Sequence, residues 1–131
     1  MITEDYVSFK IAKLLKEKGF DVECDYLYVD GELVRARGGK CNWNDGETLF
    51  TDYKNECSAP TLQMAMKWLR EVHKLCITII PKVTNDEGSG GCLWEWAVTY
   101  LSVPQSVSLE LFESYEEACE KAIRYCLEKL I

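Results

Sequence analysis

A single histidine, His73, stands in a chain of 131 residues. One histidine excludes a multi-histidine metal site within one copy. Basic residues are also short, with 15 Lys and Arg against 22 Asp and Glu and a net charge of −7. That balance argues against sequence-independent nucleic-acid binding, which works by neutralising phosphates. It disfavours anionic membrane surfaces for the same reason. No apolar run approaches the roughly 20 residues of a membrane-spanning helix. The first residues, Met1-Ile2-Thr3-Glu4-Asp5, are acidic where a secretory leader is basic, so the expected compartment is the cytoplasm. No two of the seven cysteines form a Cys-x-x-Cys pair, and their number is odd. Cys24, Cys76 and Cys92 fall in strand-like runs, Cys119 and Cys126 in a helical one. They read as reduced core residues rather than a disulfide framework. Neither Gly38-Gly39-Lys40 nor Gly88-Ser89-Gly90-Gly91 completes a phosphate-binding motif.

What is present is an ordinary globular composition, 47% hydrophobic and 28% charged. The spacing predicts a first helix from Glu4 to Lys18, capped by Thr3 and stopped by Gly19. Val7, Ile11, Leu14 and Leu15 form its apolar face. Phe20 to Tyr28 alternates apolar and acidic residues and reads as a strand, turned back at Asp30-Gly31 into Glu32–Ala36. Arg37 to Cys57 is expected to be a long polar loop, pinned by Phe50 and Tyr53. A second helix is expected from Pro60 to Lys74, with Leu62, Ala65, Met66, Leu69 and Val72 as its core stripe. Strands Leu75–Lys82 and Cys92–Ser102 follow, joined by the acidic, glycine-rich stretch from Asn85 to Gly91. Pro104 breaks the second of them, and Val107–Leu111 is a candidate edge strand. Ser114-x-x-Glu117 opens the last helix. The expected fold is a single α+β domain over residues 1–131. It has three helices and a largely antiparallel sheet of about four strands, in the order α-β-β-α-β-β-α.

Few residues offer chemistry. Asp21, Glu23 and Asp25 share a strand face, which is simplest as a solvated face. Asn42-Trp43-Asn44-Asp45-Gly46 fails the register of a calcium loop, because Cys41 and Trp43 fall where carboxylates are needed. A dyad of His73 with Cys76 is conceivable, but a strand-buried thiol is inert. Trp94 and Trp96 read as core. Met64 and Trp68 flank the core stripe of the second helix and either pack internally or anchor a partner. Trp43, in a polar segment, is the best candidate for an exposed aromatic.

The run Ser58-Ala59-Pro60-Thr61 through Lys67-Trp68-Leu69-Arg70-Glu71 resembles a family of small proteins found in gut bacteria and their phages, a family with no assigned activity. The closing segment, Ser114-Tyr115-Glu116-Glu117-Ala118 to Ile131, resembles it as well. The resemblance implies a phage- or prophage-associated accessory protein and carries no catalytic residue with it. Two functions are therefore expected. The first is a small cytoplasmic protein-binding module that uses Trp43, Met64 and Trp68, without metal or cofactor. The second is a small-molecule-binding domain or enzyme with a pocket under residues 38–57, marked by a perturbed carboxylate or thiol.

Overall fold

The computed structural model describes residues 2–45, 56–83 and 92–131. Phe50, Tyr53 and the glycine-rich stretch 85–91, all assigned roles above, lie outside the described residues. The chain divides into two compact units, Met1–Ala65 and Met66–Ile131. Both are α+β. Among the described residues they carry three α-helices and two three-stranded antiparallel sheets.

In the first unit, helix α1 spans Phe9–Glu17 and starts later than its periodicity suggests. The cause lies in the backbone just before it. Val7 N–H donates to Pro60 O at 3.0 Å, and Asp5 O accepts from Leu62 N–H at 2.9 Å. Those bonds hold residues 5–7 extended against residues 60–62. Ser8, not Thr3, is the cap, and its hydroxyl accepts from Ile11 N–H at 3.3 Å. The C-terminus matches expectation. Gly19 adopts φ +89°, Phe20 N–H donates to Leu15 O, and Gly19 N–H donates to Lys16 O. This pair of bonds is a Schellman motif. Ile11, Ala12, Leu15 and Phe20 are buried beneath it.

Strand β1 (Tyr26–Val29) is flanked by β2 (Glu32–Arg35) and β3 (Glu56–Ser58), in the sheet order β2-β1-β3. Asp30 at φ +50° and Gly31 at φ +85° make the turn between β1 and β2, as the Asp-Gly pair requires. Upstream of β1 the expected strand is reduced to one bridge, where Cys24 pairs with Cys41. β3 sits inside what reads as a loop. Its register pairs Leu27 with Ser58 and Val29 with Glu56. A three-residue strand buried at every position shows no alternation, so the pattern of the sequence hides it.

Helix α2 (Leu62–His73) begins after Thr61, whose hydroxyl accepts from Met64 N–H at 3.1 Å. Leu62, Ala65, Met66 and Leu69 are buried as expected. Val72, expected in the same stripe, is 56% exposed. Lys74 at φ +59° ends the helix and turns the chain straight into β4.

In the second unit, β4 (Leu75–Val83), β5 (Cys92–Tyr100) and β6 (Val103–Val107) form an antiparallel sheet in that order. The expected strand Cys92–Ser102 turns back earlier than Pro104. Leu101 at φ +47° and Ser102 at φ +69° make a tight hairpin, and both residues sit in the left-handed region that L side chains avoid. Pro104 then falls in β6, an edge strand, where a missing N–H is tolerated. The expected edge strand at Val107–Leu111 is thus Val103–Val107. Helix α3 (Tyr115–Tyr125) packs on β4 and β5. Ser114 caps it, its hydroxyl accepting from Glu117 N–H at 3.0 Å. Trp94 meets Tyr115 edge-on at 5.4 Å, and Trp96 meets Tyr125 at 5.1 Å. Ala118, Cys119, Ala122 and Ile123 are fully buried, and the chain continues into a π-helical turn, Cys126–Leu130.

Among the described residues the observed order is therefore α-β-β-β-α-β-β-β-α. The expectation of one sheet of about four strands is corrected to two sheets of three. Among the described residues no helix is long and apolar enough to cross a membrane.

Candidate functional site

The three expected contact residues do not offer an exposed aromatic surface. Trp43 is only 4% exposed. Its Nε1–H donates to Cys24 O at 2.9 Å, and its backbone N–H donates to Ser58 Oγ at 3.0 Å. The indole staples its segment to the first unit, and its expected exposure is corrected. Trp68 is 5% exposed and stands edge-on to His73, with ring centroids 4.7 Å apart. Met64 is half-buried and lines a hollow of about 60 Å³ with Tyr6, Cys24 and Thr61. Polarity misled the reading of residues 42–45. Asn44 and Asn42 bond to backbone groups of this unit through their side chains. Asn44 Nδ2–H donates to Phe20 O at 2.9 Å, and its Oδ1 accepts from Ser58 N–H at 3.0 Å. Asn42 Oδ1 accepts from Asn44 N–H at 3.0 Å, closing an Asx turn. Asp21, Glu23 and Asp25 are all exposed, as a solvated strand face would be.

A different group of residues comes together on α1. Phe9, Lys13, Lys16 and Glu17 recur at helical spacing and present one face. That face, with Asp30 of the β1–β2 turn and Glu56 and Cys57 of β3, lines a cleft of about 400 Å³. The volume lies at the small end of ligand sites. Phe9 is steadied by Tyr28, ring to ring at 5.4 Å, and Tyr28 OH donates to Val7 O at 2.7 Å. Lys13 Nζ stands 5.3 Å over the Phe9 ring. Lys16 Nζ donates to the backbone oxygen of Glu56 at 2.8 Å. Among the described residues neither lysine is in a salt bridge with a carboxylate.

Glu56 is the unusual member. It is 8% exposed, and its Oε1 is buried with no hydrogen-bond partner among the described residues. Burial pushes its carboxyl above the ordinary value, with Lys16 opposing. An unsatisfied buried oxygen costs about 1–3 kcal/mol. Such an atom in a native fold calls for a partner. Cys57 beside it is deeply buried, and desolvation raises its thiol pKa against the pull of Lys16 and Lys13. A protonated, buried thiol is a poor nucleophile. The cleft therefore offers recognition groups: the carboxyl of Glu56, two ammonium groups, an aromatic wall and, at its edge, the carboxylates of Glu17 and Asp30.

Part of this was within reach of the sequence. The Phe9, Lys13, Lys16 and Glu17 face is readable from spacing alone. Glu56 was not, because nothing in Glu-Cys-Ser announces a buried strand. No family model matches the chain, and neither a curated protein nor a solved structure matches it.

Proposed function

We propose that this protein is a small-molecule-binding domain whose site is the cleft between α1 and β3. The ligand it suits is a small zwitterion. A ligand ammonium or amine donates to Glu56, and a carboxylate or phosphate lies near Lys13 and Lys16. The observation that carries this reading is Glu56, which lines a cleft edged by two lysines and whose Oε1 is buried with no hydrogen-bond partner among the described residues. A donor brought by a ligand recovers the hydrogen bond that folding leaves unmade. Binding rather than turnover is the reading for Cys57, since its thiol is held protonated.

Glu56→Gln tests both the site and its electrostatics. Calorimetric titration with 4-aminobutyrate and with O-phosphoethanolamine is expected to show saturable binding to the native protein. The Gln variant should bind about tenfold more weakly or worse, a loss of about 1.4 kcal/mol. No saturable binding of either probe, or equal binding by the variant, rejects the proposal. The stability of the empty protein gives a second readout. The carboxyl pKa is raised in the fold above its ordinary 4.5, so folding favours the protonated form. Its contribution is complete below pH 4.5 and is lost as pH rises through the folded value. Urea midpoints of the native protein should therefore fall over that window relative to those of Glu56→Gln. Parallel curves would show that Glu56 is not buried in the way described.

A second reading keeps the protein-binding accessory module, of phage or prophage association. It is favoured by the resemblance of the α2 segment and by exposed apolar side chains at Val103, Val107, Leu109 and Leu111, with Leu109 fully exposed. Leu109→Lys should abolish capture of a partner from host lysate without changing the melting temperature. Capture that survives the change counts against this surface.

A further inference from the structure

Cys24 and Cys41 face each other across the isolated antiparallel bridge that precedes β1. Cys24 N–H donates to Cys41 O at 2.9 Å, and Cys41 N–H donates to Cys24 O at 3.3 Å. Two residues that exchange both bonds are a hydrogen-bonded pair. Their Cα atoms lie about 5.5 Å apart in such a pair and their side chains leave the same face. A disulfide spans Cα separations of about 4.4–6.8 Å, so the backbone is already placed for one. Its Cβ atoms need about 3.8 Å, less than the roughly 4.5–5.5 Å of an opposed pair, so closure draws the strands together. A bond closed under that strain is more easily reduced again. All seven cysteines are free, and these two are the ones opposed across a bridge among the described residues.

We propose that Cys24 and Cys41 form a peroxide-sensitive dithiol that closes reversibly to a disulfide across this bridge. The two thiols have different roles. Cys41 is partly exposed and Cys24 is buried. Cys41 therefore meets the oxidant. Its sulfur takes one oxygen from hydrogen peroxide as the O–O bond breaks, giving the sulfenic acid and one water. The Cys24 sulfur then attacks the Cys41 sulfur. The S–S bond forms, the S–O bond breaks, and the Cys24 proton leaves with the hydroxide as a second water. Two thiols and one peroxide become one disulfide and two waters. Burial pushes the Cys24 thiol up to about 11, so it stays protonated and does not meet the oxidant first. Its proton has to leave as it attacks Cys41, which makes closure the slow step. Closure ties the segment carrying Trp43 and Asn44 to Cys24, whose carbonyl already holds the Trp43 indole.

The test uses the full chain. Reduced protein is treated with a slight excess of hydrogen peroxide, alkylated in denaturant, weighed intact and mapped by proteolysis. The expected product is a monomer carrying five alkyl groups in place of seven, with a linked peptide pair containing Cys24 and Cys41. Dithiothreitol should restore seven alkylatable thiols. The oxidised protein should melt at a higher temperature than the reduced one, because the cross-link restricts the unfolded chain. Cys41→Ser keeps both bridge hydrogen bonds, since they are backbone bonds, and should lose both the linkage and the melting shift. Linkage of any other pair, disulfide-linked dimers, or seven alkylatable thiols after peroxide overturns the proposal.

Discussion

Trp43→Ala is expected to destabilise the protein by about 3–5 kcal/mol. The side chain is almost fully buried, and alanine leaves a cavity that its neighbours fill only in part. The polar share of the loss is small. Cys24 O, which accepts from the indole, also accepts from Cys41 N–H at 3.3 Å and is not orphaned. Trp43→Phe separates the two contributions. It keeps most of the buried area and loses one hydrogen bond, so about 1–2 kcal/mol is expected. Domains of ordinary size have only about 5–15 kcal/mol in total. Urea unfolding of the two variants measures both numbers. An alanine variant with an unchanged midpoint would mean that Trp43 stands in solvent and is free to act as an interface anchor.

Asn44→Ala is expected to cost roughly 2–4 kcal/mol, although the residue is only half-buried. The reason is the pair of backbone groups it serves. Ser58 N–H donates to its Oδ1, and Ser58 is fully buried. Phe20 O accepts from its Nδ2–H. Removal takes the acceptor from the buried Ser58 N–H and one donor from Phe20 O, and a donor left unpaired away from water carries the larger penalty. Asn44→Asp restores one acceptor and no donor, so it should recover part of the loss. Hydrogen exchange at the Ser58 amide gives the local readout. Protection there that is unchanged in Asn44→Ala would show that another group holds Ser58. Because β3 carries Glu56, the same variant should also loosen one wall of the proposed cleft.

Local chemistry was legible wherever one short segment decides its own conformation. Gly19 and Phe20 end α1, Asp30-Gly31 turns β1 into β2, and Ser114 caps α3, each as its residue types require. The apolar face of α2 was likewise read from periodicity, apart from Val72, and on β5 Trp96 is buried as read while Trp94 is half-buried. The α+β class follows from these.

Tertiary structure decided the rest, through groups distant in the chain. The start of α1 moved from Thr3 to Ser8 because the backbone around Val7 pairs with Pro60 and Leu62. β3 exists because β1 offers it an edge, not because its own three residues favour a strand. Leu101 and Ser102 adopt left-handed conformations that their side chains oppose, because β6 must return along β5. Trp43 lies in a polar run, yet it is buried, because Cys24, Phe20 and Ser58 supply partners for that run. The cleft follows the same logic. Its lysines lie on a helix face that spacing reveals, while Glu56 arrives from a strand that only pairing creates. Sequence determines what each segment can do by itself. Which polar groups become buried, and which remain without a partner, depends on what the fold places beside them.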